Sequence, residues 1–157
     1  WPVDAAGHLR MVTERLHLDA ILAELSGESD THTALDIQTQ IGHVHLHVAD
    51  LPAAEQFYCD VLGFERTQRY GSSATFVSAG GYHHHVGLNT WAGVGAPPPP
   101  PEAPGLRWFS IRLPGRQELE ETVRRVRAAN LPLSEQPEGY LLQDPSQNGI
   151  LLTASPN

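Results

Sequence analysis

Six of the nine histidines stand in two short runs, His43-Val44-His45-Leu46-His47 and His83-His84-His85. Imidazole is the commonest side-chain metal ligand, and its ordinary pKa leaves it mostly neutral near pH 7. In the first run the histidines alternate with Val44, Leu46 and Val48. A strand there would turn His43, His45 and His47 to one face and the three aliphatic residues to the other. A strand that only filled a core would carry Val, Ile or aromatic residues at the histidine positions. The chemistry open to such a face is metal ligation and proton transfer. The competing reading is a solvated or subunit-facing sheet surface, and both stay open at this level.

The elements that must position these residues follow from the flanking pattern. Asp50 is placed to cap a helix, with Pro52 in its first turn, where the missing N–H is harmless. Ala54, Phe57, Tyr58, Val61 and Leu62 recur at helical spacing and predict one buried stripe, and Gly63 stands where a left-handed cap is expected. Ala74–Ser78 reads as a strand, Gly80-Gly81 as its turn and Tyr82–Asn89 as the returning strand. Residues 92–105 form a linker that includes five consecutive prolines, Pro97–Pro101, a stiff polyproline II spacer. The pattern then restarts. Leu106–Leu113 alternates as a strand. Gln117–Ala129 is a helix with Leu119, Val123 and Val126 on one face and the pairs Glu120–Arg124 and Glu121–Arg125 on the other. Short strands are expected at Leu133–Gln136, Gly139–Gln143 and Gly149–Thr153, the last two separated by the turn Asp144-Pro145-Ser146-Gln147-Asn148-Gly149. Element order thus repeats after about fifty residues, as β, α and then further strands. Residues 1–40 show no β pattern. They are expected to be an N-terminal arm or interdomain connector with a short amphipathic helix over Leu16–Leu25, followed by a loop over Ser26–Asp36.

Composition narrows the function classes. The chain has 157 residues, enough for one domain with a core, and a formal net charge of −8. It has no lysine, and its ten basic residues are all arginine. This balance argues against nucleic acid, which needs a basic patch to neutralise phosphates. No polybasic anchor is present, and no apolar run approaches the ~20 residues of a membrane-spanning helix. Cys59 is the single cysteine and cannot form an internal disulfide, so the cytoplasm is the expected compartment and Cys59 is expected to act as a small buried apolar residue. Nothing resembles a signal peptide. The chain opens at Trp1 rather than Met, which leads to the expectation of a longer parent protein.

The run GHVHLHVADLPAAEQFYCDVLGF, the run FVSAGGYHHHVGLNTW with the Pro tract after it, and the ending DPSQNGILL resemble the vicinal oxygen chelate superfamily. That superfamily includes glyoxalase I, bleomycin-resistance proteins and extradiol (ring-cleaving) dioxygenases. The likeness covers Ile41 to Thr153 and is greatest to the C-terminal half of two-domain catechol 2,3-dioxygenase-like proteins. It implies an α+β fold of two βαβββ modules, module one over 41–91 and module two over 106–154, forming a half-open barrel around a divalent metal. The domain as a whole would span 41–154, and the chain would be the back half of a longer enzyme. The family places metal ligands at four strand positions, where this sequence has His43, Gly87, Trp108 and Leu151. Only His43 offers a lone pair, whereas Fe(II) in ring-cleaving enzymes wants two histidines and a carboxylate.

The resemblance leaves three routes. In the first, other histidines rebuild the site. Counting by twos from Gly87, His85 and His83 share its inward parity, and His84 points away. The metal candidates are then His43, His45 and His85, and the acid–base candidates are His85 and His83. Fe(II) is the favoured ion, acting with O2 on a catechol-type aromatic. In the second, an upstream domain supplies the missing ligands and this chain by itself holds no metal. In the third, the module pair is a metal-free pocket for a small aromatic molecule, with Trp108, Leu151, Tyr140 and Trp91 as walls. An extradiol dioxygenase domain, an oxidoreductase, is the leading expectation. The rival is a non-catalytic small-molecule-binding or dimerisation module of the same fold. Glyoxalase chemistry stands third, for want of carboxylate ligands. The expected partners are a small aromatic molecule and an upstream domain or a second copy of the chain, as in a dimer, with neither nucleic acid nor membrane.

Overall fold

The computed structural model describes residues 3–7, 15–24 and 35–156. The chain divides into two compact units, Trp1–Gly42 and His43–Asn157. In the first unit the expected helix is found as α1, Leu18–Glu24. Leu18, Ile21 and Leu22 of its apolar stripe are exposed. Leu25, which was expected to extend the stripe, lies outside the described residues.

The second unit holds two copies of one arrangement. Module one runs β1 (Val44–His47), α2 (Leu51–Glu55) continuing as a single π-helical stretch to Val61, β2 (Glu65–Tyr70), β3 (Ala74–Ser78) and β4 (Val86–Asn89). Module two runs β5 (Phe109–Leu113), α3 (Arg116–Ala128), β6 (Ser134–Gln136), β7 (Gly139–Gln143) and β8 (Gly149–Ala154). The sheet orders are β1-β4-β3-β2 and β5-β8-β7-β6. In each, the first strand pairs parallel with the last and the remaining pairs are antiparallel. This is the βαβββ topology twice, and the two four-stranded sheets stay open without closing into a barrel.

Local sequence accounts for most of these elements. Asp50 is extended, and its carboxylate accepts the Ala53 N–H at 2.7 Å, which satisfies one orphan donor at the start of α2. Gly63 ends the helical run at φ +92°. Asn130 closes α3 at φ +55°, a region asparagine tolerates. Alternation along β1 works as expected: Leu46 and Val48 are buried, while His43, His45 and His47 are exposed.

The modules share one core. Leu46, Val77, Val86 and Leu88 of sheet one meet Phe57 and Tyr58 of the helical run, and Val123 and Val126 of α3 meet Ile150 and Leu152 of sheet two, within the same cluster. Polar contacts pin the junction. The buried Asp144 carboxylate accepts the Tyr58 hydroxyl at 3.1 Å, the Ser146 and Asn148 N–H groups at 2.8 and 2.9 Å, and the Asn148 amide at 2.9 Å. Asn148 also donates to the His47 carbonyl at 3.1 Å, and the Ser146 hydroxyl accepts the Ala49 N–H at 2.9 Å. The Arg125 guanidinium donates to the Val61 and Leu62 carbonyls at 2.8 and 2.9 Å, at the C-terminal end of the module-one helix.

That last contact corrects the expected helix pairs. Arg125 does not pair with Glu121, because carbonyls without intrahelical partners lie within its reach. The ion pairs seen along α3 are Arg116–Glu120 at 2.9 Å and Arg124–Glu121 at 3.8 Å. The returning strand of module one is also shorter than Tyr82–Asn89. Gly80 and Gly81 have φ of +65° and +75°, and residues 82–85 leave the turn without regular strand pairing before β4 begins at Val86.

Candidate metal centre

The site is built at one end of β1 and β4. These strands are parallel neighbours, with Val44 opposite Val86 and His45 opposite Gly87. Opposed residues of a sheet project to the same face. The His45 ring lies over Gly87: a Cβ there would stand 3.0 Å from Nδ1 and 3.1 Å from Cε1. A glycine in the middle of a strand is the residue that makes such close approach possible. His43 sits immediately before β1. His83 and His84 arrive on the irregular stretch before β4, so the chain just ahead of both strands converges.

Four imidazoles meet there. His43, His83 and His84 each offer one nitrogen, and those atoms lie within 4.8 Å of one another. Ring centroids are 4.5 Å apart for His43 and His84, 4.5 Å for His83 and His84, and 5.9 Å for His43 and His83. His45 joins through a 3.1 Å hydrogen bond between its Nε2 and the Nε2 of His84. His43 is exposed, His83 half-buried and His84 only 6% exposed. Nδ1 of His84 is buried and has no hydrogen-bond partner among the described residues. Leaving a buried polar atom in that state costs about 1–3 kcal/mol.

The electrostatics favour the neutral form at His45, His83 and His84. Burial, followed by the like charges of His43, His83, His45 and His85, pulls His84 down to about 4. Burial and then His43 lower His45 and His83. A neutral imidazole is the form that binds a metal.

The two histidine runs therefore differ in how legible they are. His43 and His45 lie where strand parity puts them. His84 was expected to point outward, yet it is the buried centre of the cluster. The reason is local: parity holds only along an extended strand, and 82–85 is not one. His85 lies apart from the three-histidine group. Its Nδ1 accepts the Ala79 N–H at 3.3 Å and meets the Ser78 hydroxyl at 3.0 Å, and its ring neighbours Tyr82 and Phe64 at 4.9 and 6.2 Å. Gly87, read from the sequence as an empty ligand place, is the cradle for His45.

Of the residues expected as pocket walls, Tyr140 and Leu151 lie on opposite faces of sheet two. Tyr140 pairs with Leu152, so it shares the core face, where Arg127 of α3 lies 5.9 Å from its ring. Leu151 is buried on the opposite face of β8. Trp108 precedes β5 and is 49% exposed, and Trp91, in the turn after β4, is 63% exposed.

Residues 40–150 match the family described as Glyoxalase/Bleomycin resistance protein/Dioxygenase superfamily, and the chain belongs to it. More particularly, it is 44% identical over 146 residues to a catechol-2,3-dioxygenase of Bacillus subtilis (strain 168). The match takes in 92% of this chain and 50% of that protein, so the chain spans about half the length of the curated relative. Among solved structures, a glyoxalase/dioxygenase from Nostoc punctiforme superposes with a TM-score of 0.62 at 15% identity, over 82% of this chain and 100% of that one. A lactoylglutathione lyase from Agrobacterium tumefaciens gives 0.56 at 24% identity, over 76% and 96%. At these identities the structural likenesses speak for the fold alone.

A metal at the family's four strand positions does not fit this chain. Gly87, Trp108 and Leu151 have no donor atom to offer beside His43. Among the described residues, the donor set that could hold a divalent ion is the histidine group of module one, with the unpartnered Nδ1 of His84.

Proposed function

We propose that this chain is part of a ring-cleaving, extradiol-type dioxygenase that acts on a catechol-type aromatic with O2 and a divalent metal, Fe(II) being favoured. The observation that carries the reading is the 44% identity to a catechol-2,3-dioxygenase across nearly the whole chain. A bound metal would lower the pKa of the catechol hydroxyls and hold the two reactants together. The chain's own part is to supply neutral imidazoles and a surface for a flat ring. Phe76 lies 5.0 Å from His84 and Tyr82 lies 4.1 Å from His83, so aromatic faces flank the histidines on two sides. Such faces suit stacking of a planar substrate.

A second reading has its own support. Trp108 and Leu151 stand where the resemblance expects ligands, which favours a small-molecule-binding or dimerisation module that has lost the chemistry. One assay separates the two. The chain is loaded anaerobically with Fe(II), mixed with catechol and air-saturated buffer, and followed by oxygen uptake and by absorbance of the ring-opened product. Equal consumption of O2 and catechol is the expected result. Metal retained without oxygen uptake would favour the binding module.

A further inference from the structure

We infer that module one carries a divalent-metal site of a different make from the family's: His43, His83 and His84 are the ligands, and His45 positions His84. All of its donors come from one module. It keeps the single family ligand, His43, and recruits two neighbours from the irregular chain before β4. The site stands on donor geometry and holds whether or not the chain cleaves rings.

The argument begins at His84. A neutral imidazole carries one proton, on Nδ1 or on Nε2. Nε2 faces the Nε2 of His45 at 3.1 Å, and one of the two must donate. If the proton of His84 were on Nδ1, a buried donor would go unpaired, since that atom has no partner among the described residues. With the proton on Nε2, His84 donates to His45 and leaves Nδ1 bare and buried, on a ring that is 6% exposed. A bare buried nitrogen among other imidazoles is what a cation satisfies. His43 and His83 each bring a nitrogen within 4.8 Å of a nitrogen of His84, and neither ring is fully buried, so small side-chain rotations can draw them onto an ion.

His45 then acts as metal-bound histidines' outer partners commonly do. It accepts the N–H on the far side of a ligand ring, which fixes the tautomer and orientation of that ring. To accept at Nε2, His45 must carry its own proton on Nδ1. Its ring is held in place over Gly87, where no side chain intrudes. Three nitrogen ligands select ions that suit imidazole, such as Zn(II), Fe(II), Co(II) or Ni(II), over Mg(II) or Ca(II).

The test needs no turnover. The whole chain is stripped with chelator, then titrated anaerobically with Co(II), reading the visible absorption of the bound ion, and with Zn(II) by equilibrium dialysis. About one equivalent is expected to bind. His43→Ala and His83→Ala, both at accessible positions, are expected to weaken binding by ~100-fold or more. His84→Ala should do the same, with far-UV circular dichroism reporting whether it folds. His85→Ala should bind as the unaltered chain does. His45→Ala should keep the stoichiometry, weaken affinity by roughly 10–100-fold and alter the Co(II) spectrum, and His45→Asn should recover part of the loss. No binding by the unaltered chain would overturn the inference. So would undiminished binding in His43→Ala and His83→Ala, or loss of the ion in His85→Ala.

Discussion

The two modules share a topology and differ in what they put on it. In module one, His43 stands just before β1 and His45 lies on it, and the parallel neighbour of β1 carries Gly87 opposite His45. In module two, Trp108 stands before β5, and Ser110 lies opposite Leu151 of β8. Module one gathers four imidazoles into one cluster, while module two puts a buried leucine and an exposed tryptophan at the matching places. The backbone needs only the alternation that faces the shared core, and both modules keep that. The other face is free to vary. The histidine cluster therefore belongs to one half of the fold alone.

This division can be tested through the turns first. Gly139 in the β6–β7 hairpin has φ +155°, and a Cβ on it would lie 1.9 Å from the Leu152 carbonyl oxygen. Gly71, in the β2–β3 hairpin of module one, has φ +57° and open space around it. Gly139→Ala is expected to destabilise by about 3–5 kcal/mol and Gly71→Ala by about 1 kcal/mol. Urea unfolding would measure both. Because the core is shared, Gly139→Ala should also remove metal binding in module one, and retained binding would show that the modules fold independently.

Next comes the junction. Tyr58→Phe leaves the buried Asp144 carboxylate short of one donor and should cost about 1–3 kcal/mol. The same pair gives a pH signature. Burial, and then the Asp144 charge, push the Tyr58 phenol well above its ordinary range. Its contribution is therefore fully present below the unfolded-state pKa of about 10 and is lost as pH rises beyond it. Thermal melts from pH 8 to 11 should show this alkaline loss in the unaltered chain and a shallower one in Tyr58→Phe.

Arg125→Met is a smaller change, expected at about 1–2 kcal/mol, since the Val61 and Leu62 carbonyls lose a charged donor but sit close to water. If this contact joins the modules, its cost should couple to that of Tyr58→Phe in a double-mutant cycle. The smallest effect belongs to Glu55, which ties α2 to β2 through Arg69 at 2.6 Å and Arg66 at 3.2 Å. The Arg69 hydrogen bond is the chief cause that holds this carboxyl below its ordinary pKa. Its contribution is present above the unfolded-state value and fades as pH falls through the folded one. Glu55→Gln should cost no more than about 1 kcal/mol at pH 7, and the difference should shrink in denaturant midpoints taken toward pH 3.

Family, topology and most elements were legible in the chain. The alternation from Gly42 to Val48, the stripe from Ala54 to Leu62, the Asp50 cap and the turn at 144–149 are all local signals. Each is set by side-chain direction and backbone preference within a few residues, so the amino-acid order is enough. His43 and His45 could be assigned to one face for the same reason.

What only the tertiary structure decided is how distant pieces meet. Period-two counting assigned His85 to the cavity and His84 to the outside, but a strand's period ends where the strand ends. Beyond the Gly80-Gly81 turn, the path of residues 82–85 follows from the parallel pairing of β1 with β4, some forty residues apart. The same holds for Arg125, whose choice of helix carbonyls over Glu121 depends on where module two docks, and for Tyr140, drawn to the core face by its register with Leu152. Local periodicity determines which way a side chain points from its own element. Only packing determines what it finds there.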